Sequence, residues 1–202
     1  MSDLFHPDVP DDYVVAATRV MMAADWHTYQ VLTKRAERQR KLLNSKLSFV
    51  SNAKHIWWGV SAEDRKYGVP RISEIQQAQV PMRFLSIELL LEDLGLLDLS
   101  GMHWAIVGGE SGPGARPMSL EWVERIHQQC KDAGVAFFFK QWGGVHKKKN
   151  GRLLGGRTFD EFPEYRRNPE PNKSRIGQIV RDTLGLAEVC SFVHDPAPEI
   201  SI

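Results

Sequence analysis

Trp104-Ala-Ile-Val-Gly-Gly-Glu-Ser-Gly-Pro-Gly-Ala-Arg116 is the stretch from which the fold can be read. A short apolar run, Trp104 to Val107, empties into a loop holding Gly108, Gly109, Gly112 and Gly114, with one carboxylate and one arginine among them. A helical pattern begins near Ser119, with Val123, Ile126, Cys130 and Ala133 on one face and Gly134 placed to end it. Strand, glycine-rich loop, helix is the order in which α/β proteins build ligand sites at the carboxyl ends of their strands.

Working outward, the same alternation recurs. Apolar, β-rich runs start at residues 28, 55, 82, 103 and 135, intervals that fit βα units of about 30 residues. Helices are expected after Pro10-Asp11-Asp12, over the basic stretch from Lys34 to Lys46, and around Arg71 to Gln79. Repeated β–α units with continuous apolar strands predict an α/β fold with a parallel sheet covered by helices. A partial (β/α) barrel of parallel strands is preferred over a doubly wound open sheet. The barrel domain is expected over 1–145. A basic linker and irregular tail with one short helix, Ser174 to Leu184, are expected over 146–202, with local packing at Thr158-Phe-Asp-Glu-Phe-Pro163.

Composition narrows the classes. The chain has 202 residues and a formal net charge of +1, so charge alone gives no reason to expect a polyanionic partner. It has no apolar run long enough for a transmembrane helix, and its first residues lack the features of a signal peptide. Its two cysteines, Cys130 and Cys190, stand far apart. That favours a reduced, cytoplasmic chain and gives no cysteine-rich metal site. The histidines show no metal-ligand spacing, so no metal is assigned.

A parallel sheet gathers its strand ends on one face. Those ends supply Lys34 and Arg35; Gly59 and Ser61; Ser86 and Glu88; Gly108, Gly109, Glu110, Ser111 and Gly112; and Lys140, Gln141 and Trp142. Asp3, in the opening segment, has the look of a strand end whose strand is absent. Carboxylates, cations and an aromatic ring converging from separate segments suit a small polar, partly anionic ligand. Trp57, Trp58, Trp104 and Trp122 are read as packing residues, and Trp142, beside two glycines, as a candidate platform. No catalytic residue is assigned.

Several of these segments resemble a known family. They are Met1-Ser-Asp-Leu-Phe-His6, Val31-Leu-Thr-Lys-Arg35, Trp57-Trp-Gly-Val-Ser61, Glu63-Asp-Arg65, Phe84-Leu-Ser-Ile-Glu88, Val107-Gly-Gly-Glu-Ser-Gly-Pro-Gly-Ala-Arg-Pro117 and Phe138-Phe-Lys-Gln-Trp-Gly143. In order, and over residues 1 to about 163, they resemble a phage-type three-cysteine-motif family that is itself similar to radical-SAM enzymes. The resemblance implies a partial or full β/α barrel, S-adenosylmethionine, and an iron–sulfur cluster held by thiolates upstream of Met1. This chain carries no such cysteines and reads as truncated at its N-terminus, so the radical step is not expected of it alone. It also has Leu89 where the family usually has proline. Gly108-Gly109-Glu110 comes too late in the chain to be equated with the Gly-Gly-Glu of radical-SAM enzymes.

On that reading Glu88, Glu110 and the 108–114 loop contact the ligand, and Lys34, Arg35 and Lys140 balance its anionic parts. Two other readings stand beside it. A nucleic-acid-binding accessory protein would use the basic patches at 34–46 and 140–157. A metal-free barrel enzyme would grip a small phosphorylated molecule with the 108–114 loop.

Overall fold

In a computed structural model, residues 3–145, 150–165 and 167–191 are described, those from 184 onward by their backbone alone. Five strands form one sheet: β1 Tyr29–Thr33, β2 Ile56–Ser61, β3 Arg83–Glu88, β4 Trp104–Gly108 and β5 Ala136–Gln141. All neighbours pair in parallel, and the order β1-β2-β3-β4-β5 follows the sequence without reversal. The helices are α1 Asp11–Ala23, α2 Ala36–Leu43, α3 Pro70–Gln76, α4 Leu120–Ala133 and α5 Lys173–Ser191. Each expected strand forms within a residue or so of its sequence position. The basic helix is shorter than expected, and the C-terminal helix is longer.

The helix boundaries follow from local chemistry. Ser119 accepts a hydrogen bond from the Glu121 N–H at the start of α4, and Gly134 ends it in the left-handed conformation at φ 66°. Pro10 precedes α1, and Asp11 and Asp12 occupy its first turn, where carboxylates favour the positive end of the helix dipole.

Side chains alternate across the sheet. Val31, Trp58, Val60, Leu85, Ile87, Ala105, Val107, Phe137 and Phe139 point to one side. There they pack with Leu42 and Leu43 of α2, Ile72 and Ile75 of α3, and Val123 and Ile126 of α4. On the other face the register aligns Leu32, Gly59, Phe84, Trp104 and Ala136 in one row across all five strands. Gly59 has a packing reason: a Cβ there would lie 2.4 Å from the Phe84 ring. Trp57 and Trp104 join Phe84 in this second, smaller cluster, so these tryptophans pack, as does Trp58.

A strap formed by residues 157–165 covers the lower half of that second face. Its Phe159 carbonyl accepts from the Phe139 N–H (2.9 Å) and its Glu161 carbonyl accepts from the Trp104 indole N–H (2.8 Å). The Phe162 ring lies 4.8 Å from Trp104, and Tyr165 lies 6.4 Å from Trp57. Beyond it Asn168 donates to Asp25, just after α1 (2.8 Å). Phe159, Phe162 and Tyr165 thus pack against residues of the sheet, within the segment 146–202 that was expected to be a basic linker and irregular tail.

Candidate functional site

Above the aromatic half of the second face lies a polar upper half. Ser61, Ser86, Ile106 and Phe138 form the next register row, and Glu88 faces Gly108 in the row above. Ser61 and Ser86 are 5% and 3% exposed. Between Val107 and Gly108 the register with β5 slips, so that Gly108 faces Gln141 and Lys140 becomes the extra residue of a bulge. Bulges re-aim side chains, and here the Lys140 ammonium donates to Glu88 Oε2 at 2.9 Å. Glu88 Oε1 is buried and has no hydrogen-bond partner. The peptide bond from Glu88 to Leu89 is cis.

The other strand ends are tightly bonded. Asp3 accepts from the Phe5 N–H, the Thr33 hydroxyl and the Arg35 guanidinium, which staples the opening segment onto the end of β1. Lys34 donates to Glu63 Oε1 at 2.5 Å, and Arg71 donates to its Oε2 at 2.9 Å. Burial pushes the Glu63 carboxyl up, but the Lys34 hydrogen bond and the Arg71 charge outweigh it and hold the group below its usual range. Glu63 and Arg71 were not among the residues expected at the site. The signal available was an acid two positions past a strand end.

The glycine-rich loop is largely self-contained. The Arg116 side chain grips both Glu110 oxygens (2.7 and 3.1 Å), and its own N–H donates to the same carboxylate (3.0 Å). The Arg116 side chain and backbone hold the Glu110 carboxyl down at about 2. The Gly109, Gly112 and Gly144 N–H groups donate to the carbonyls of Gln141, Gly144 and Glu110. A Cβ on Gly109 would meet the Trp142 carbonyl oxygen at 2.1 Å, and one on Gly143 would meet that of Glu110 at 2.0 Å. These glycines let two loops touch backbone to backbone, and two N–H groups of the 108–114 loop, those of Gly109 and Gly112, are turned to carbonyls. Gln141 joins the arrangement by donating to the Ser111 hydroxyl (2.8 Å).

Trp142 is half-buried. Its ring packs on Phe139 with 4.9 Å between centroids, and its indole N–H donates to the Leu153 carbonyl (2.8 Å). One side of it lines a recess of about 470 Å³ with Arg116, Met118 and Asn150. A cavity of about 1130 Å³ lies at the opposite end of the strands, lined by Met82, Met102, Phe137 and the strap's Phe159. It is remote from the strand carboxyl ends.

Most described cations of the two basic patches have acid partners. All six cations of 34–46 have acid partners: Lys34 with Glu63, Arg35 with Asp3, Arg38 and Lys46 with Asp11, Arg40 with Glu74, and Lys41 with Glu37. Of the second patch, Lys140 pairs with Glu88 and Arg152 with Asp160, and Arg157 lies over the Phe159 ring. Lys147, Lys148 and Lys149 lie outside the described residues. Among the described residues no helix is long and apolar enough to cross a membrane.

No curated protein and no solved structure matches the chain. One family model does, over residues 1–163, which takes in every strand and the strap up to Pro163. The chain therefore belongs to the family described as "Protein of unknown function (DUF5131)".

Proposed function

We propose that this chain is a ligand-binding partial (β/α) barrel, related to radical-SAM proteins of phage type, whose second sheet face holds a small polar ligand. S-adenosylmethionine is the foremost candidate. Sequential parallel strands without reversal support the barrel, since a doubly wound sheet reverses its order partway. The observation that carries the ligand reading is Glu88. One oxygen of this strand-end carboxylate is buried without a donor, at the end of the sheet where ligands bind. Leaving such an acceptor unmet costs about 1–3 kcal/mol, which a ligand N–H would relieve.

The iron–sulfur cluster implied by the resemblance does not fit the described residues. Cluster ligands are thiolates, whereas Cys130 is buried on α4 and its thiol is pushed up to about 12, chiefly by burial. Among the described residues no group of three His, Cys, Asp or Glu could hold a metal. No reaction step is therefore assigned through a cluster. The work of these residues is to bind and enclose the ligand.

Thermal unfolding of the chain with S-adenosylmethionine, and separately with phosphorylated sugars and nucleotides, tests the reading. S-adenosylmethionine at a hundredfold excess over Kd should add about 2.7 kcal/mol, and Glu88→Gln should remove that gain. Stabilisation by phosphorylated compounds alone would replace this reading with the phosphate-binding enzyme.

A further inference from the structure

We infer that Lys140 is an exchangeable counter-ion: a ligand on the second face replaces its ammonium on Glu88 with a cationic N–H donor of its own. This rests on the ligand-binding reading above and adds the ligand's chemical class, one bearing an ammonium or guanidinium group.

The strand-end carboxylates differ in how fully they are paired. Asp3, Glu63 and Glu110 each have both oxygens engaged by donors. Glu88 has Lys140 on Oε2 and nothing on its buried Oε1. A carboxylate has about four lone-pair sites, so one lysine contact leaves most of its capacity unused.

The cover over this carboxylate is the part best able to move. The Lys140 side chain is 50% exposed against 22% for Glu88. A lysine stem is flexible, its ammonium is readily hydrated, and a surface ion pair of this kind is worth little. Lys140 is also the bulge residue, outside the regular ladder between β4 and β5.

Gly108 packs closely on the other side of the pair. A Cβ at Gly108 would stand 3.2 Å from Glu88 Oε1 and 3.5 Å from the Lys140 Cβ. That side is closed, so the solvent side held by Lys140 is the one from which a ligand can reach the carboxylate. The ammonium resting on Oε2 marks the kind of group the carboxylate accepts, and a ligand cation that takes its place could also offer an N–H to the unmet Oε1.

The test uses the full chain and two nucleosides in titration calorimetry. Decarboxylated S-adenosylhomocysteine carries a primary ammonium and, like methylthioadenosine, neither a sulfonium nor a carboxylate; methylthioadenosine lacks the ammonium as well. Lys140→Met removes the competing charge and keeps the stem. The amine-bearing probe should bind Lys140→Met about tenfold tighter than the parent, and methylthioadenosine should bind both alike. Adding Glu88→Gln should cancel the gain. Equal binding of the amine by parent and Lys140→Met, or a gain that survives Glu88→Gln, overturns the exchange.

A measurement without variants separates this inference from the reading beneath it. Methylammonium, the tip of a lysine side chain, should shift the Gly108 amide resonance of the parent chain, whereas tetramethylammonium, which has no N–H, should not. Equal shifts from the two ions overturn the exchange. Binding of neither nucleoside, with the methylammonium effect intact, instead removes the S-adenosylmethionine reading and leaves the exchange standing.

Discussion

Two carboxylate–cation pairs sit near each other at the strand ends, and they are built oppositely. Glu110 and Arg116 are six residues apart, and Arg116 makes three hydrogen bonds that engage both oxygens of the carboxylate. Glu88 and Lys140 are 52 residues apart, share one contact, and leave a buried oxygen unmet. A pair formed inside one loop can be completed by the loop itself, because arginine's fork matches a carboxylate. A pair formed between β3 and a bulge in β5 depends on where the sheet puts its ends. The finished pair closes a turn; the unfinished one has capacity left for a ligand.

The sharpest way to break the comparison is through the glycines that join the two loops. Gly143→Ala would place a Cβ 2.0 Å from the Glu110 carbonyl oxygen, at a residue whose φ is +73°. Backbone cannot yield as a side-chain tip can, so the expected cost is about 3 kcal/mol. Gly109→Ala, 2.1 Å from the Trp142 carbonyl oxygen, should cost about as much for the same reason. Gly114→Ala meets nothing within 4 Å and carries only the penalty of φ +77°, about 1 kcal/mol. Urea midpoints rank the three directly. A Gly109→Ala cost no larger than that of Gly114→Ala would mean that the loops are not in backbone contact. A smaller effect separates the carboxylates themselves. Glu88→Gln should abolish the thermal shift given by S-adenosylmethionine, and Glu110→Gln should leave it intact. The reverse outcome would move the ligand to the glycine loop.

How much of this was legible in the sequence depends on the range of the interaction. The strands and α4 could be read because apolar periodicity, Ser119 and Gly134 act locally. The loop 108–114 drew attention for the same reason, since glycine density is visible without a structure. Its cause was not visible: Gly109 and Gly143 face each other only because β4 and β5 are neighbours. The basic stretch 34–46 looked like a free cationic surface, and its acids come from residues 3, 11, 63 and 74 as well as from Glu37. Lys140 and Glu88 could be named separately as strand ends. Their pairing needed the β-bulge, which has no signature in one strand's sequence, and the unmet oxygen needed atomic packing. The aromatics at 158–163 suggest local packing, but that the strap lies over Trp104 and Trp57 could not be read, because those partners come from distant strands.

The weakest expected effect concerns the finished pair. Glu110 sits at about 2 in the folded chain against 4.5 for an unperturbed glutamate, so folding favours its ionised form. A depressed carboxyl contributes stability that is complete above the unfolded value and is lost as pH falls through the folded one. The parent chain and Glu110→Gln should therefore differ most above about pH 5 and converge toward pH 2. The difference between the two is the quantity to follow, because Asp11, Asp64 and Asp93 are also held low and titrate in the same region in both chains. The Glu110 pair lies at the surface, so about 0.5 M salt should narrow the gap through screening. Urea unfolding of both chains from pH 2 to 7 supplies the curves. A gap that stays constant across that range would show that Arg116 does not hold Glu110 in solution, and the two pairs would then be alike in being open.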